Sequence, residues 1–490
     1  MGGFFGVVAQ QGCVADVYYG TDYHSHMGTV RGGIAFFAGN TFHRSIHNLA
    51  NAQFRVRFEN AASRFAGLNP CYGIGVISDQ DDQPLLVRSH LGMYALAFTG
   101  LITNLSELCA ELMKDRATHF CELGKDSQVN ALEVMSMLIN SQDTIEEGLA
   151  YLQTKIEGSA SVLLLSDRGK LYMSRDRWGR TPMVLGKRAD GAWAVTIETA
   201  AFPNLGYTRV RDLKAGEVAA MSTEGVETLI EGHEEQAICS FLYVYYGYPA
   251  SSYEGVGVER VRYRSGGYLA RRNPVEADHV AGIPDSGIAH ALGYAEESGI
   301  RYARPFVKYT PTWSRSFMPP DQSLRQKIAN MKLLPVPELI EGKRLIFCDD
   351  SIVRGTQLRN QVKRLTDAGA KEVHIRIACP PLLYKCRFLT FSRTESVMDL
   401  ATRRIIQEID GPNADIDAYR DPDGAPYKRM VEEMRRRSGM TSLAFQRVED
   451  VIKSVGIGPK LCTYCWTGED ISLKGGCPGH CAGCPGHRQP

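Results

Sequence analysis

The stretch RLIFCDDSIVRGTQ, residues 344–357, combines the residue types that a sugar-phosphate site needs. An apolar run ends in Asp349 and Asp350, and a short segment with serine, glycine and threonine follows. Backbone N–H groups of a turn that leads into a helix can hold a phosphate. Adjacent carboxylates can accept hydrogen bonds from ribose hydroxyls or help to bind a divalent cation. The pattern therefore predicts a ligand loop at the carboxyl end of a parallel strand rather than an ordinary acidic turn.

A second candidate site lies among the thirteen cysteines of the chain. Cys462 and Cys465 form a C-x-x-C pair in LCTYCWTGE, which on its own is typical of zinc, a redox pair or half of an iron–sulfur site. Clustered cysteines in a reducing compartment favour metal ligation over disulfides. The final CPGHCAGCPGH, with Cys477, Cys481 and Cys484, could bind zinc, a second cluster or only incidental metal, so we assign no site there.

These residues need elements that position them, and the second half of the chain alternates strand and helix. DHVAGIPDSGIAHALGYAEESGI and KRLIFCDDSIVRGTQLRNQVKRLTDAGA each predict a strand, a turn and a helix, the second helix from about Gln357 to Ala368. Such alternation indicates a doubly wound parallel sheet. Residues 395–460 are expected to be mainly helical, and the charged YKRMVEEMRRRSGM indicates a solvated helix face rather than a binding site.

The first 230 residues have a different pattern. GGFFGVVA, GGIAFFAG, CYGIGVIS and ASVLLLSD are β-rich runs bounded by turn residues. DSQVNALEVMSMLIN has apolar residues at helical spacing, and its first aspartate is a candidate helix start. Mixed strands and helices of this kind predict an α+β layered domain.

The length and the charge of the chain limit the domain organisation and the kinds of partner that are expected for it. A chain of 490 residues is expected to form two domains. Its 56 Lys and Arg nearly balance its 55 Asp and Glu, so the overall charge makes no case for nucleic acid or an anionic membrane as a partner. The sequence lacks an apolar run of about 18 residues and the start lacks a signal-peptide pattern, which predicts a cytoplasmic protein.

The acidic loop resembles the 5-phosphoribosyl-1-pyrophosphate (PRPP) loop of phosphoribosyltransferases, and specifically that of glutamine amidophosphoribosyltransferase. GIPDSGIAHALGYAEESGI, PPDQSLRQKIANMKL and EGKRLIFCDDSIVRGT are similar to segments of that family in the same order, and the resemblance runs with gaps from residue 2 to about 470. It implies a layered αββα N-terminal domain of the N-terminal-nucleophile hydrolase type over 1–232. It also implies an α/β phosphoribosyltransferase domain with a parallel sheet over 233–470, and leaves a Cys/Gly/Pro-rich tail over 471–490.

The resemblance also implies a reaction and its residues. Ammonia would displace pyrophosphate from C1 of PRPP to give 5-phosphoribosylamine, the first step of de novo purine synthesis. Magnesium would be held by Ser286, Asp349 and Asp350. Arg315 and Lys332 lie in or beside a lid over PRPP, as catalytic diphosphate contacts or as surface charges. The PRPP-binding loop would consist of Asp349, Asp350, Ser351, Ile352, Val353, Arg354, Gly355 and Thr356.

Some members of this family carry a [4Fe–4S] cluster on four cysteines from distant segments. The matching residues are Cys239 in AICSFLYVYYGYP, Cys386 in PPLLYKCRF, and Cys462 with Cys465. Four thiolates are a full ligand set for a cubane cluster. Zinc and unligated thiols remain alternatives.

The N-terminal half departs from the family at the groups that cleave glutamine. The mature family chain begins with a nucleophilic cysteine, whereas this chain has Gly2 in MGGFFGVV. The arginine that binds the substrate carboxylate is replaced by Ser78, the oxyanion asparagine by Thr99, and another arginine by Met27. Loss of a single oxyanion donor typically costs about 100- to 1000-fold in rate. We therefore predict a degenerate domain without glutaminase activity.

Two features bear on that prediction. Asp126 in KDSQV matches the family's ligand for the glutamine amino group, but it could equally be a helix N-cap. Cleavage before Cys13 would expose a new N-terminal cysteine, yet it would delete the first strand and restore no other group.

Three functions are consistent with these residues. The leading hypothesis is an amidophosphoribosyltransferase-like enzyme that uses free ammonia or ammonia from a separate partner, with Mg²⁺ and the cluster as cofactors. The second is a non-catalytic PRPP or nucleotide sensor paired with an active paralogue. The third is a transferase for another amine, because YYGYPASSY differs from the family's usual pattern. The family further implies a homotetramer and purine nucleotide inhibitors.

Overall fold

The computed structural model of the chain describes residues 2–116, 118–122, 129–309, 333–390 and 396–471. Among these residues, the strands up to Ile230 form two large antiparallel sheets, and a parallel sheet lies in the second half. The predicted fold class, a layered αββα half followed by an α/β half, is confirmed. No helix in the described ranges has the length and apolar character needed to cross a membrane.

The first sheet shows why the N-terminal half is layered. In its strand GFFGVV, Phe4 and Val8 enter the core between the two sheets, while Phe5 and Val7 enter the core beneath the helices. Side chains alternate across a strand, so both faces of this sheet are buried. The strand order is β11-β9-β10-β1-β4-β2-β3. The strands are β1 (Gly3–Val8), β2 (Arg31–Ala38), β3 (Thr41–Asn48), β4 (Tyr72–Ser78), β9 (Val184–Lys187), β10 (Trp193–Thr196) and β11 (Thr208–Asp212).

The second sheet packs on the first and has the order β13-β12-β8-β7-β6-β5. Its strands are β5 (Leu85–Ser89), β6 (Gly92–Ile102), β7 (Gly158–Ser166), β8 (Leu171–Ser174), β12 (Val218–Ser222) and β13 (Gly225–Ile230). One helical layer covers the first sheet: α1 (Val14–Asp22), α2 (Phe54–Ala66) and α6 (Ala201–Leu205). The other covers the second sheet: α3 (Leu105–Leu112), α4 (Ala131–Asn140) and α5 (Ile145–Lys155).

The parallel sheet of the second half has the order β17-β20-β21-β22. Its strands are β17 (His279–Gly282), β20 (Arg344–Asp349), β21 (Glu372–Ile377) and β22 (Ser442–Phe445). In β20, Leu345 and Phe347 join one core and Ile346 and Cys348 another, as expected for a parallel strand buried on both faces. The helices are α7 (Val258–Arg272), α8 (Ile288–Ser298), α9 (Thr356–Asp367), α10 (Ala401–Asp410), α11 (Ala425–Ser438), α12 (Val448–Val455) and α13 (Tyr464–Thr467).

Short elements complete the second half. A π-helical turn spans Leu242–Tyr246. The 3₁₀ turns are Pro337–Leu339, Val397–Asp399, Asp417–Tyr419 and Gly458–Lys460. The two-strand pairs are β14 (Ile238–Cys239) with β23 (Leu461–Cys462), β15 (Ser252–Tyr253) with β16 (Val256–Gly257), and β18 (Phe306–Lys308) with β19 (Leu333–Pro335).

The structure corrects one expected helix start and adds a short strand to a segment that is mainly helical as expected. Helix α4 starts after Asn130, whose side chain accepts a hydrogen bond from the N–H of Leu132, and not at the aspartate four residues earlier. The mainly helical segment 395–460 also contains β22, because the short apolar run SLAF pairs with β21 along the sheet edge. Four residues are too few for periodicity to separate a strand from a helix.

Candidate active site

The acidic loop lies at the carboxyl end of β20, between that strand and the start of α9. Asp349 is the last residue of the strand, and Gly355 adopts φ +77° immediately before Thr356 opens the helix. A left-handed conformation is costly for a residue with a Cβ, so glycine suits the position. The N-terminus of α9 and the loop before it therefore lie at the carboxyl edge of the sheet, where parallel sheets usually bind ligands.

The structure brings together the three residues expected at the magnesium site. Ser286, in the turn before α8, lies close enough to Asp349 for its hydroxyl to oppose the rise in pKa that burial causes in that carboxyl group. The Oδ1 atom of Asp349 accepts from the N–H of Asp350 at 3.0 Å, and Ser351 Oγ donates to Asp350 Oδ2 at 2.6 Å. Gly287 permits this approach, because a Cβ there would lie 2.1 Å from the carbonyl oxygen of Cys348.

Burial, with the neighbouring Asp350 charge, raises the pKa of Asp349 well above its usual value. A nearby cation would favour the charged pair. Within the described ranges, no three His, Cys, Asp or Glu side chains come together as a site for a metal ion. Two carboxylates and a hydroxyl still suit Mg²⁺, which is commonly bound by one or two carboxylates together with substrate phosphates. The donor set therefore fits magnesium held jointly with a diphosphate.

The loop is supported by a helix that the sequence analysis did not connect with it. Arg404 of α10 donates from Nη2 to the carbonyl of Arg354 at 2.7 Å, and the N–H of Ala401 donates to the carbonyl of Val353 at 2.7 Å. The local sequence carries no signal for these contacts, because the partners are almost fifty residues apart. Arg315 and Lys332 lie outside the described residues.

The four cysteines predicted as cluster ligands line one small cavity. Cys239 and Cys462 are paired directly across β14 and β23, Cys465 lies in α13, and Cys386 follows β21. The remaining lining residues are Arg180, Phe241, Phe388, Leu389, Thr463 and Trp466. In a cubane each thiolate binds a different iron, so the ligands need not crowd around a single ion. An otherwise largely apolar cavity with four thiols fits a [4Fe–4S] cluster.

The thiols differ in their electrostatic surroundings. A hydrogen bond with the thiol of Cys465 is the main cause that lowers the pKa of Cys386 to about 7. Burial raises the pKa of Cys462 to about 11 and that of Cys239 well above its usual value. Neutral thiols tolerate such burial, whereas four thiolates need a compensating positive charge. The cysteines of the C-terminal CPGHCAGCPGH lie outside the described residues.

A second pocket collects the N-terminal positions that depart from the family pattern. It is lined by Gly2, Ser78, Asp79, Gln80, Gln83, Phe98, Thr99, Gly100 and Thr390. A Cβ on Gly2 would lie 2.4 Å from the carbonyl oxygen of Ile77, so the backbone leaves no room there for a side chain. The hydroxyl of Thr99 donates to the carbonyl of Gly2 at 3.0 Å.

The hydroxyls of this pocket are not arranged as an activated nucleophile. Ser78 Oγ accepts from the N–H of Gln80 at 3.1 Å, and no histidine is among the described lining residues. Met27 has joined the apolar core between the sheets and is only 2% exposed. Asp126 lies outside the described residues. The described pocket thus offers neither a thiolate nor a guanidinium to a glutamine substrate.

Comparison with known proteins identifies the family to which this chain is similar. Residues 73–204 match the family model of a glutamine amidotransferase domain. The amidophosphoribosyltransferase of Methanocaldococcus jannaschii is 30% identical, covering 96% of this chain and 97% of the relative. The chain belongs to the amidophosphoribosyltransferase family.

Solved structures agree with this assignment to a family of phosphoribosyltransferase enzymes. The Bacillus subtilis glutamine PRPP amidotransferase, complexed with ADP and GMP, superposes with a TM-score of 0.80 at 29% identity, covering 95% of this chain and 96% of that chain. A structure described as the allosteric regulatory enzyme of purine biosynthesis gives a TM-score of 0.81 at 28% identity, covering 95% of both chains.

The structure also has a buried contact between the N-terminal half and the second half of the chain, which the sequence did not predict. Glu198 accepts hydrogen bonds from Ser251 Oγ at 2.6 Å and from Tyr253, and lies 3.8 Å from His26. Burial favours the neutral acid, but these three partners hold the pKa of Glu198 below its usual value. Ser251 and Tyr253 belong to YYGYPASSY, so the divergent motif packs against the N-terminal half.

Proposed function

We propose that this protein catalyses displacement of pyrophosphate from PRPP by ammonia, without hydrolysing glutamine itself. The observation that carries the proposal is the contrast between two sites in one molecule. Beside the loop before α9, three residues lie close together: Ser286, Asp349 and Asp350. In the N-terminal pocket, by contrast, the backbone at Gly2 leaves no room for a side chain. The product would be 5-phosphoribosylamine, and the reaction would be the first step of purine synthesis.

In this mechanism the chain mainly binds and orients PRPP. Loop N–H groups between Ser351 and Thr356 would hold the 5-phosphate, and Asp349 and Asp350 would accept hydrogen bonds from the ribose hydroxyls. The nitrogen lone pair of ammonia forms the new bond to C1 as the C1–O pair leaves with pyrophosphate, and a proton passes to solvent. Arg315 and Lys332 are proposed contacts to the diphosphate.

Bound at Ser286, Asp349 and Asp350, Mg²⁺ would neutralise the charge that grows on the leaving diphosphate. Burial and the neighbouring Asp350 charge raise the pKa of Asp349, and a bound cation would favour the charged form of the pair.

We further propose a [4Fe–4S] cluster on Cys239, Cys386, Cys462 and Cys465. Their shared cavity supports this ligand set over the C-terminal cysteines. The domains we assign are a degenerate amidotransferase-like domain over 1–232, a transferase domain with the cluster ligands over 233–470, and a tail over 471–490.

The ammonia would be free in solution or supplied by a separate protein. By analogy with the family we propose a homotetramer in the cytoplasm, and the ADP and GMP bound to the Bacillus subtilis relative suggest purine nucleotides as inhibitors.

The test is pyrophosphate release by anaerobically purified protein with PRPP and Mg²⁺, with ammonium and glutamine supplied in parallel reactions. We expect release with ammonium and none with glutamine above the background without an amine. Omission of Mg²⁺ should abolish release.

The other outcomes are equally informative. Release with glutamine would show that glutamine is still hydrolysed and would overturn the proposed loss. PRPP binding without release in either reaction would favour a non-catalytic PRPP sensor, and release only with another amine would identify a different acceptor.

A further inference from the structure

The N-terminal half places a charged side chain, Arg180, at the four-cysteine cavity. The turn that carries it follows β8 and is fixed by Asp176, whose Oδ2 accepts from the N–H groups of Trp178 at 3.2 Å and Arg180 at 2.8 Å. The carbonyl of Arg180 accepts from the N–H of Cys239 at 3.1 Å. The turn is therefore joined directly to one of the four cysteines.

The guanidinium of Arg180 is almost completely enclosed. The residue is 1% exposed and lines the cavity together with the cysteines. Its Nη2 atom pairs with Asp470 Oδ1 at 3.0 Å, and its Cζ lies 3.7 Å from the centroid of the Phe388 ring. Its Nε is buried with no hydrogen-bond partner among the described residues. A buried donor without an acceptor is costly, which points to an acceptor that occupies the cavity.

We propose that Arg180 is an interdomain positioning residue for the iron–sulfur cluster, to which it supplies a positive charge and the Nε–H donor. The inference rests on the cluster assigned under the proposed function. It gives the degenerate N-terminal half a role that does not depend on glutamine, because this half completes the surroundings of a group held by the other half.

The physical reason is charge. Four thiolates around an iron–sulfur core give a net negative group, and burial of such a group is expensive unless it is compensated. Hydrogen bonds to the sulfurs and nearby charges set the reduction potential of the cluster. Since reduction adds one more negative charge, the guanidinium stabilises the reduced form more than the oxidised form. Asp470 acts in the opposite sense.

Thr199 provides a control for the loss of an interdomain contact. It is buried in the N-terminal half, its Oγ1 atom donates to the carbonyl of Ser252 in the second half at 3.3 Å, and the N–H of Ser252 donates to Oγ1 at 2.8 Å. It does not line the four-cysteine cavity. Thr199→Val therefore removes hydrogen bonds between the halves without removing the charge beside the cavity.

The experiment uses the full chain, purified anaerobically, as wild type and as Arg180→Met, Arg180→Lys, Asp470→Asn and Thr199→Val. Iron and acid-labile sulfide per chain are measured first, and the midpoint potential is then determined by titration with dithionite. We expect a more negative potential in Arg180→Met, a more positive one in Asp470→Asn, and an unchanged one in Thr199→Val.

Arg180→Lys retains the charge and should keep the potential closer to wild type than Arg180→Met does. If Arg180→Met loses iron and sulfide, the proposal requires that Arg180→Lys and Thr199→Val retain them. Equal potentials in all variants, or the same loss in Thr199→Val, would overturn the role of Arg180 and leave the cluster assignment standing. Wild-type protein without iron and sulfide would overturn the cluster and the role of Arg180 together, while pyrophosphate release tests the transferase activity independently.

Discussion

The transferase loop and the N-terminal pocket both lie beside strands of large sheets, yet they differ in chemistry. Around Asp349 and Asp350 the polar side chains lie close together, and burial with the neighbouring Asp350 charge raises the pKa of Asp349. The positions where the family pattern has its glutamine-cleaving groups hold Gly2, Ser78 and Thr99 in the N-terminal pocket. The hydroxyls of Ser78 and Thr99 hydrogen-bond to the backbone.

This difference shows that a site and its fold are maintained by different residues. The layered half is stabilised by buried apolar residues such as Phe4 and Phe5 on opposite faces of β1. The groups that would cleave glutamine are few and contribute little to that core. Side chains at such positions can therefore differ while the fold stays intact, as Met27 in the core between the sheets illustrates.

The largest expected effect concerns the intact site. Asp350→Asn removes one carboxylate charge from the proposed ribose and magnesium site, and should reduce ammonia-dependent pyrophosphate release by about 100- to 1000-fold. Steady-state kinetics with saturating ammonium measure it. Asp367→Asn, on the exposed end of α9 and paired with Lys363, is the control and should retain wild-type rates. An active Asp350→Asn enzyme would contradict the assigned role.

The second prediction concerns the acid stability of the N-terminal half. Burial lowers the pKa of His24 from 6.5 to about 4, so the folded protein keeps this ring neutral while the unfolded chain takes up a proton. The contribution to stability is complete above pH 6.5 and is lost as the pH falls through about 4. The free energy of unfolding should therefore decrease by about 3 kcal/mol over this range from His24 alone.

Urea unfolding between pH 7 and pH 4.5 measures this effect. His24→Gln should flatten the pH dependence, whereas His90→Gln at an exposed position should not change it. His26 and Glu198 face His24 and remain in both variants. Identical slopes in wild type and His24→Gln would show that His24 titrates normally.

The smallest effect comes from an attempt to restore the nucleophile. Gly2→Cys should yield no glutaminase activity and should destabilise the fold by about 1–3 kcal/mol, because the new Cβ would lie 2.4 Å from the Ile77 carbonyl. Thermal unfolding and glutamate release are the measurements. Gly257→Ala, where a Cβ meets open space, is the matched control. Glutamate release by Gly2→Cys would show that the remaining pocket is still competent.

Much of the architecture was predictable because it depends on local patterns. A β-rich run bounded by turn residues predicts β1, and the run RLIFCD before a glycine-containing turn predicts β20, its loop and α9. The strand β22 was missed because SLAF is too short for periodicity to identify it. Its pairing partner β21 lies some seventy residues earlier in the chain.

The sequence alone determined which side chains are present: the acid pair, the four cysteines, and a glycine where a nucleophile would stand. Only the tertiary structure decided which of them meet and what surrounds them. It joined Ser286 to Asp349, enclosed four distant cysteines in one cavity, and brought Arg180 to that cavity from the other half. The reason is that such contacts depend on packing between distant elements, whereas residue identity and local periodicity can be read along the chain.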